Sequence, residues 1–323
     1  MNILFAATSD YLPYAMVTML SVLDKIPKDK SVHFHFLYAD IVKPISDEDR
    51  KKLFEITQYT LSKHNAMISF YDVHDKIHLF DGQNIGMWGK EVSLTHYMYL
   101  LAPLVLDIDE VIYLDTDMVV NTDLSELNNI KLNDKLLAMA SPSGKEIHPD
   151  MSNSGFLVLN LKRWREQKTL NQLLEFGRSI EKCWLCDQNL LYQYFTKNHP
   201  NDVCLIEKTF NIFAHLEPEL EINEIKIFHY AALKEKPWQS LNSKCRASYL
   251  WWQYAKKTPF YEEFLFKIMQ KECQEKYKNE MIEFKREFFS EIKKRDKIFY
   301  KFLYKISIGK KRREYKKMYK DCI

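Results

Sequence analysis

The sequence contains very little glycine: only 7 of its 323 residues are glycine. It has no GxGxxG and no GxxxxGK[ST] pattern, which excludes the dinucleotide-binding fingerprint and the P-loop. It also has no run of about 18 apolar residues, so we expect no transmembrane helix. The apolar N-terminus lacks a basic segment and reaches Asp10 early, which argues against a secretory signal peptide.

Cysteine is sparse and scattered, and the six residues are Cys183, Cys186, Cys204, Cys245, Cys273 and Cys322. Because no secretory signal is predicted, we expect reduced thiols in a cytoplasmic protein. Cys183 and Cys186 form a CxxC pair, but a zinc or redox role would need a second pair or an N-terminal βα context, and the sequence has neither. We therefore interpret both residues as packing residues.

What the sequence does contain is typical of a globular protein: 46% hydrophobic residues, 28% charged residues and a mean hydropathy of −0.38. This composition excludes long disorder and fibrous repeats. The length fits two domains, or one large α/β domain with an appendage. The composition changes near residues 250 and 290, so we divide the chain into 1–250, 251–292 and 293–323.

The charge is unevenly distributed, because residues 293–323 hold 13 Lys/Arg and 3 Asp/Glu, a net charge of +10, whereas the whole chain carries only +3. The apolar residues of this segment at i, i+3, i+4 and i+7 are Phe299, Phe302, Leu303 and Ile306. Lysines flank them, so we predict a basic amphipathic helix that lies on an anionic membrane. A solvated helix, or one packed on a partner subunit, is the alternative; we expect no specific nucleic-acid partner.

Apolar runs and helical periodicity alternate along the chain. The predicted strands are Asn2–Ala7, Val32–Tyr38, Ala66–Tyr71, Val111–Leu114, Gly155–Asn160 and Ile225–His229. The predicted helices cover residues 14–25, 47–63, 91–106, 170–181, 187–195 and the chain from 251 onward. This order predicts an α/β fold, with a mostly parallel sheet flanked by helices and a helical C-terminal extension. Ligands of such sheets bind beyond the carboxyl ends of the strands, where Thr8–Tyr11 and Asp115–Asp117 stand.

Asp115 and Asp117 are the sharpest candidates for chemistry, because carboxylates at i and i+2 after a strand point to the same side. Two like charges held together need a cation, or one of them takes up a proton. Oxygen ligands suit Mg²⁺ or Mn²⁺, ions that usually bring phosphate oxygens with them. His229 also ends a predicted strand, and a neutral imidazole is a good third ligand. The alternatives are a solvated turn and a core histidine.

Three further segments carry polar groups that suit a sugar or a phosphate. Asn153-Ser-Gly155 precedes a predicted strand, where the amide can bind hydroxyl groups, although a plain turn fits equally well. Asp187-Gln188 stands at the start of a predicted helix. Asp187 is either an ordinary negative charge at the helix N-terminus, or it binds sugar hydroxyl groups together with the Gln188 amide. Lys236 follows His229 by seven residues and offers a point charge for phosphate.

As a set, these motifs resemble glycosyltransferase family 8, the retaining GT-A-fold group that includes bacterial lipopolysaccharide galactosyl- and glucosyltransferases. The matching segments, in the order of the family, are Ile3–Tyr11, Tyr113–Val120, Asn153–Trp164, Asp187–Asn189, Phe210-Asn211 and His229–Trp238. They cover about residues 2–265. The resemblance implies a GT-A catalytic domain over 1–250, and the composition adds a helical extension over 251–292 and a basic amphipathic membrane-association tail over 293–323.

The resemblance also implies roles for individual residues. The implied ligands of Mn²⁺ or Mg²⁺ are Asp115, Asp117 and His229. The implied donor-binding residues are Ala6, Thr8, Tyr11, Asp115, Thr116, Asp117, Asn153, Lys234 and Lys236, with Tyr11 stacked on the uracil base. Asn153, Asp187 and Gln188 would surround the transferred sugar. Of these, Asp187 and Gln188 are the implied catalytic residues. Gln188 would lie near the face of the sugar C1 atom opposite the leaving group.

Three positions depart from the family pattern. Thr8 stands where the family often has an acidic residue or asparagine, and Tyr99 stands where many relatives carry an arginine that reaches the donor. Ala232 replaces a glycine, and one extra residue precedes Lys236, which leaves open whether Lys234 or Lys236 holds the phosphate.

The implied function is the retaining transfer of galactose or glucose from a UDP-sugar to a saccharide acceptor. The expected acceptor is a lipopolysaccharide or lipooligosaccharide core, or another surface glycan or glycolipid, with the enzyme peripheral on the cytoplasmic face of a bacterial inner membrane. One alternative is a nucleotide-sugar-binding protein without turnover. The other is a phosphatase of the haloacid dehalogenase type, in which Asp115 of the DxDxV pattern is the nucleophile.

Overall fold

The protein was analysed from a computed structural model, and the described residues fall into several ranges. They are 1–39, 51–52, 55–56, 59, 65–83, 86–87, 90–91, 94–130, 132–141, 153–180, 186–214, 220–231, 236–241, 243, 245 and 247–321. The chain forms two compact units, Met1–Glu262 and Glu263–Ile323. The predicted functional boundaries near residues 250 and 292 stay predictions.

The first unit is built on a seven-stranded sheet. The strands of the molecule are β1 Asn2–Ala7, β2 Val32–Tyr38, β3 Ala66–Asp72, β4 Gly86–Met87, β5 Lys90–Glu91, β6 Glu110–Leu114, β7 Met118–Val120, β8 Leu137–Ser141, β9 Phe156–Asn160, β10 Val203–Glu207, β11 Ile212–Phe213 and β12 Ile227–His229. The order in the main sheet is β10-β8-β9-β6-β1-β2-β3, and β9 alone runs antiparallel to its neighbours. A small sheet, β11-β12-β7, lies beside it, and β4 pairs with β5.

Helices follow or flank these strands. They are α1 Leu12–Lys25, α2 Ala102–Val105, α3 Leu161–Gln167, α4 Thr169–Ser179, α5 Cys186–Asn198, α6 Ser248–Ala255, α7 Tyr261–Ile306 and α8 Lys310–Asp321. Short 3-10 helices cover Ser9–Tyr11, His74–Phe80, Leu94–Leu101, Leu124–Asn129, Lys208–Phe210 and Pro237–Gln239. This arrangement confirms the prediction of a mostly parallel α/β sheet with a helical C-terminal extension.

The centre of the core is β1, which lies between β2 and β6. Ile3, Leu4 and Phe5 are fully buried, and Phe5 stacks on Phe34 and Phe36 with ring centroids 6.1 and 5.9 Å apart. Full burial of such a side chain stabilises the fold by about 1.5–3 kcal/mol. Because both faces of β1 are covered, the polar residues after its carboxyl end are the first that a ligand can reach.

Two sequence predictions differ from the structure. The predicted helix over 91–106 is a 3-10 helix, Leu94–Leu101, followed by the single turn of α2. Pro103 lies in the first turn of α2, and within a continuous α-helix its ring would crowd the carbonyl group of Tyr99. The pattern also missed β7, β8 and β10, which are three to five residues long. Of the predicted helix over 47–63, residues 51, 52, 55, 56 and 59 are helical, and the others lie outside the described residues.

The second unit is a helical hairpin. Gly309, with a φ of 71°, turns the chain between α7 and α8. Across this turn the guanidinium of Arg312 lies 5.1 Å from the ring centroid of Tyr304, and Lys297 lies 5.9 Å from that of Tyr319. No helix in the described ranges is both long and apolar enough to cross a bilayer.

Candidate active site

The Asp115–Asp117 turn joins β6 to β7, and α1 holds it in place. The Asp115 amide donates a hydrogen bond to the Gly155 carbonyl oxygen at 2.8 Å. The Thr18 hydroxyl of α1 lies 3.0 Å from the Thr116 carbonyl oxygen and 2.8 Å from that of Met118, so it is shared between them. The turn is therefore tied to a strand on one side and to a buried helix on the other.

The two carboxylates meet His229 at the end of β12. The His229 Nε2 atom lies 3.1 Å from Asp117 Oδ1 and 3.3 Å from Asp115 Oδ2. One ligand atom from each residue lies within 4.8 Å of the others, and His229 is 1% exposed. Ligands about 2.0–2.2 Å from one divalent ion stand about 3 Å apart in an octahedron, so these residues fit Mg²⁺ or Mn²⁺.

The ring of His229 is oriented by Asn211. The His229 Nδ1 atom lies 2.9 Å from Asn211 Oδ1. The Asn211 amide nitrogen in turn donates to Asn153, to its carbonyl oxygen at 3.0 Å and to its Oδ1 at 3.2 Å. Because an amide oxygen only accepts, Nδ1 carries a proton, and Nε2, which faces the carboxylates, is the nitrogen left for a metal.

The charges of the cluster also favour a cation. Burial alone would lower the pKa of His229, but Asp117 and Asp115 outweigh it and raise this pKa to about 9. Burial would raise the pKa of Asp117, but His229 and Lys236 outweigh it and lower this pKa below the ordinary range. The carboxylates thus hold a proton on His229 that a bound metal would displace.

Gly155 lies against all of these groups. A Cβ atom at this position would overlap the His229 ring and would lie 2.7 Å from Asp115 Oδ2 and 2.8 Å from Asn153 Oδ1. The sequence motif contains this glycine, but only the structure shows that the space is filled by the predicted ligands.

Lys236 also reaches the cluster. Its Nζ atom donates to Asp117 Oδ2 at 2.6 Å, and it stands before the 3-10 helix Pro237–Gln239. A lysine held on a metal-site carboxylate is close enough to contact a phosphate of a bound nucleotide. The competing candidate, Lys234, and the departure at Ala232 lie outside the described residues.

A group of polar side chains adjoins the cluster. The Asn153 amide nitrogen donates to Gln188 Oε1 at 2.8 Å, and the Gly155 amide donates to Asn153 Oδ1 at 2.8 Å. Asp187 and Gln188, at the start of α5, are 6% and 7% exposed. The structure therefore brings the three predicted sugar-binding residues together and links them through Asn211 to His229.

The carboxyl group of Asp187 is buried among polar neighbours. Burial raises its pKa to about 6, against the charge of His96 and the hydrogen bonds from Ser154 and Tyr99, which lower it. The Tyr99 hydroxyl donates to Asp187 Oδ2 at 2.9 Å.

Sequence reasoning named Tyr99 as a departure from the family pattern but missed Tyr113, with which it forms a pair beneath the site. The Tyr113 hydroxyl donates to Asp115 Oδ1 at 2.5 Å, and the rings of Tyr99 and Tyr113 stack with centroids 4.3 Å apart. The pair therefore supports Asp115 on one side and Asp187 on the other. The available signal was the position of Tyr113, two residues before Asp115 and so on the same face of β6.

The predicted base-binding residues follow β1, which is parallel to β6, so the two strands end at the same edge of the sheet. Tyr11 is 48% exposed, and its ring centroid lies 5.5 Å from that of Tyr14. Ala6 and Thr8 are partly exposed. An exposed aromatic ring at this edge is able to stack on a base.

A model of glycosyl transferase family 8 matches residues 2–242 of the chain. Glycosyltransferase GlyF of Streptococcus pneumoniae serotype 4 is 28% identical in an alignment of 263 positions, which covers 78% of this chain and 61% of GlyF. The lipopolysaccharide 1,2-glucosyltransferase of Escherichia coli is 24% identical in an alignment of 275 positions, which covers 77% of this chain and 76% of that enzyme. The match with GlyF thus spans less than two thirds of its length.

Solved structures show the same fold. The galactosyltransferase LgtC, in complex with donor and acceptor sugar analogues, matches with a TM-score of 0.60 at 24% identity, over 80% of this chain and 96% of LgtC. GlyE of Streptococcus pneumoniae TIGR4 matches with a TM-score of 0.59 at 20% identity, over 79% of this chain and 59% of GlyE. These likenesses confirm the expected GT-A-type architecture.

Proposed function

Since the chain belongs to glycosyl transferase family 8, we propose that it is a retaining hexosyltransferase that moves galactose or glucose from a UDP-sugar to a saccharide acceptor. The observation that carries the proposal is the junction of two groups of residues. The Asp115, Asp117 and His229 cluster suits a metal and a diphosphate, and the adjoining Asn153, Asp187 and Gln188 group suits a sugar.

The first group neutralises the leaving nucleotide. Asp115, Asp117 and His229 would hold Mn²⁺ or Mg²⁺, and the ion supplies a Lewis acid for the departure of UDP. Lys236, which lies on Asp117 Oδ2, donates to a phosphate oxygen from the same side. Ala6, Thr8, Tyr11 and Thr116 would line the nucleoside, and Lys234 would share the phosphate.

The second group holds the sugar. Gln188 is a poor nucleophile, and Asp187 is a buried carboxyl group that already accepts a hydrogen bond from Tyr99. We therefore propose attack from the face that UDP leaves. The bond from C1 to the diphosphate oxygen breaks, the acceptor oxygen bonds to C1 on the same face, and the hydroxyl proton passes to the released diphosphate. Asp187→Asn then keeps a fraction of retaining activity, and a covalent sugar adduct on Asp187 contradicts this mechanism.

We propose an acceptor on a lipopolysaccharide, lipooligosaccharide or other surface glycan, reached from the cytoplasmic face of the inner membrane. The support is the hairpin of 293–323, which combines a net charge of +10 with exposed apolar side chains. Ile298, Phe302 and Ile308 are 70%, 58% and 89% exposed. Cations beside exposed apolar groups favour an anionic lipid surface.

The test is release of UDP from a panel of UDP-sugars with Mn²⁺, with and without a chelator. We expect slow hydrolysis of one donor, lost on chelation and in Asp115→Asn, and unchanged in the matched control Asp107→Asn, whose side chain is exposed. Donor binding without release, with or without acceptor glycans, would instead indicate a nucleotide-sugar-binding protein. Hydrolysis of simple phosphate esters would indicate the phosphatase.

A further inference from the structure

A row of aromatic rings joins the residue proposed to bind the base to the residue proposed to bind the phosphates. The ring of Tyr14 lies between those of Tyr11 and Trp238, with centroids 5.5 and 5.0 Å away. The Lys236 ammonium group lies 5.6 Å from the ring centroid of Trp238 and donates to Asp117 Oδ2 at 2.6 Å. Contacts therefore run without a break from the exposed Tyr11 ring to a carboxylate of the candidate metal site.

The Trp238 ring is held from several sides. It packs against Trp251 of α6, which is fully buried, with ring centroids 5.1 Å apart. It also packs against Tyr230, with centroids 6.4 Å apart, and both distances are those of favourable aromatic pairs. The buried Pro237 restricts the backbone directly before it, at the start of the 3-10 helix. The ring is therefore a fixed surface beside Lys236.

A fixed aromatic surface suits the role proposed for Lys236. A lysine side chain is long and flexible, so it loses conformational entropy when its ammonium group binds a phosphate. An aromatic face within about 6 Å attracts the ammonium group without using any of its three N–H donors. Asp117 accepts one of these donors, and two remain for phosphate oxygens. Because the ammonium group is already in place, less entropy is lost when a diphosphate binds.

Tyr14 supports the other end of the row. It lies in the first turn of α1, and its ring centroid is 6.4 Å from that of the buried Trp251. Tyr11 is 48% exposed, so its contact with Tyr14 restricts a ring that is otherwise open to solvent. The base-binding ring and the phosphate-binding lysine thus share one support, although they lie more than 220 positions apart in the sequence.

We propose that Trp238 is a positioning residue that directs the Lys236 ammonium group toward the phosphates of the donor. Tyr14 holds the Tyr11 ring for the base against the same support. Each of the two residues acts through its neighbour. The proposal rests on the proposed function, since it takes the ligand to be a uridine diphosphate.

The first test compares the affinities of the full chain for UDP and for uridine, measured by calorimetry with saturating Mn²⁺. Their ratio reports the contribution of the phosphates. We expect Trp238→Leu to lower this ratio about three- to tenfold, and Trp238→Phe, which keeps an aromatic face, to preserve most of it. We expect Tyr14→Leu to weaken both ligands by a similar factor, because it disturbs the base end, and to leave the ratio unchanged.

The matched control is Trp252→Leu, the same replacement in the same group of rings. Trp252 lies edge-on to Trp251, with centroids 4.9 Å apart. Among the described residues, no ring contact joins it to Tyr14 and no cation–π contact joins it to Lys236. The control should therefore keep the wild-type ratio.

The second test separates positioning of the lysine from a general loss of structure. In Lys236→Met the ammonium group is absent, so adding Trp238→Leu should lower the ratio no further. An equal loss with and without the lysine would show that Trp238 only supports the fold, and the proposal would be wrong. An unchanged ratio in Trp238→Leu would overturn it as well, and the proposed function would stand as long as the wild type binds UDP. A wild-type chain that binds neither UDP nor uridine would contradict both.

Discussion

At the scale of single residues, Gly155 shows how tightly the candidate metal site is built. A methyl group there would overlap the His229 ring and crowd Asp115 Oδ2 at 2.7 Å. We expect Gly155→Ala to weaken Mn²⁺ binding roughly 10- to 100-fold, as for other changes that displace metal ligands. Electron paramagnetic resonance of Mn²⁺ titrations measures this. Gly309→Ala, with no atom within 4 Å of the added Cβ, is the control and keeps the wild-type affinity.

Tyr99 acts on the sugar side of the same site. Its hydrogen bond lowers the pKa of Asp187, which burial has raised to about 6. Tyr99→Phe removes this bond and therefore raises the pKa of Asp187 further. If the ionised carboxylate serves the reaction, the acidic limb of the kcat profile shifts to higher pH, and Mn²⁺ affinity stays the same.

The matched variants for this prediction are Tyr113→Phe and Tyr249→Phe. Tyr113→Phe removes the donor to Asp115, so it weakens Mn²⁺ binding. Tyr249 is 54% exposed, and its replacement changes neither quantity. An unshifted pH profile in Tyr99→Phe would show that Asp187 is not the group that titrates in kcat.

At the scale of elements, the sequence predicts buried strands well where an apolar run ends at a polar turn. This holds for β1, β2 and β6, whose bounds match the predictions to within one residue. It fails for β8, because Leu137-Ala-Met-Ala-Ser141 is short, fully buried and without periodicity, so a strand and a helix look alike. The 3-10 form of Leu94–Leu101 was missed for a similar reason: the residues from Tyr97 to Leu101 are all buried, so no polar face reveals whether the turn has 3.0 or 3.6 residues.

The sequence named the candidate ligands and sugar-binding residues, but it did not predict the contacts between residues that come from different elements. Asp115 and Asp117 follow a single strand, whereas the contacts of Asn211 with His229 and Asn153 join residues 18 and 58 positions apart. Such contacts depend on how β9, β11 and β12 are arranged, which periodicity does not report. The roles of all these residues stay predictions.

Strand β2 contributes a pH dependence of stability. The His35 ring lies between Asn2 Oδ1, at 3.1 Å, and the Tyr71 hydroxyl, at 3.2 Å. Burial, aided by the charge of His33, lowers its pKa from 6.5 to about 4. Between pH 4 and pH 6.5 the His35 ring is protonated in the unfolded chain but neutral in the folded chain. Stability is therefore complete above pH 6.5 and falls as the pH decreases toward 4.

We expect this histidine to account for a loss of about 3 kcal/mol over that window. Urea unfolding at several pH values measures the loss, and the comparison with His35→Gln isolates it from the other titrating groups. The variant should show a shallower decrease below pH 6.5. Parallel curves for the two proteins would assign the acid sensitivity elsewhere.

At the scale of the whole molecule, the distribution of charge separates the part of the chain that holds the candidate active site from the segment that we expect to bind a membrane. Residues 1–292 carry 34 Lys/Arg and 41 Asp/Glu, a net charge of −7, and residues 293–323 carry +10. An acidic surface is repelled by anionic lipid, so attraction to a membrane must come from the basic segment. Binding to vesicles should therefore weaken with salt, because exposed charges are screened within about 10 Å at 0.1 M.

Four adjacent cations at the start of α8 test this division in the full chain. They are Lys310, Lys311, Arg312 and Arg313. Each cation near an anionic surface contributes about 1 kcal/mol, so replacing all four by glutamine should weaken binding to phosphatidylserine vesicles by up to about a thousandfold. UDP release should stay unchanged, since none of the four belongs to the candidate site. Lys28→Gln, Lys30→Gln, in the exposed loop before β2, is the control and keeps full vesicle binding. If the fourfold variant and the wild type bind the vesicles equally, the basic residues of the hairpin have no role at the membrane. The acceptor would then have to reach the enzyme by diffusion.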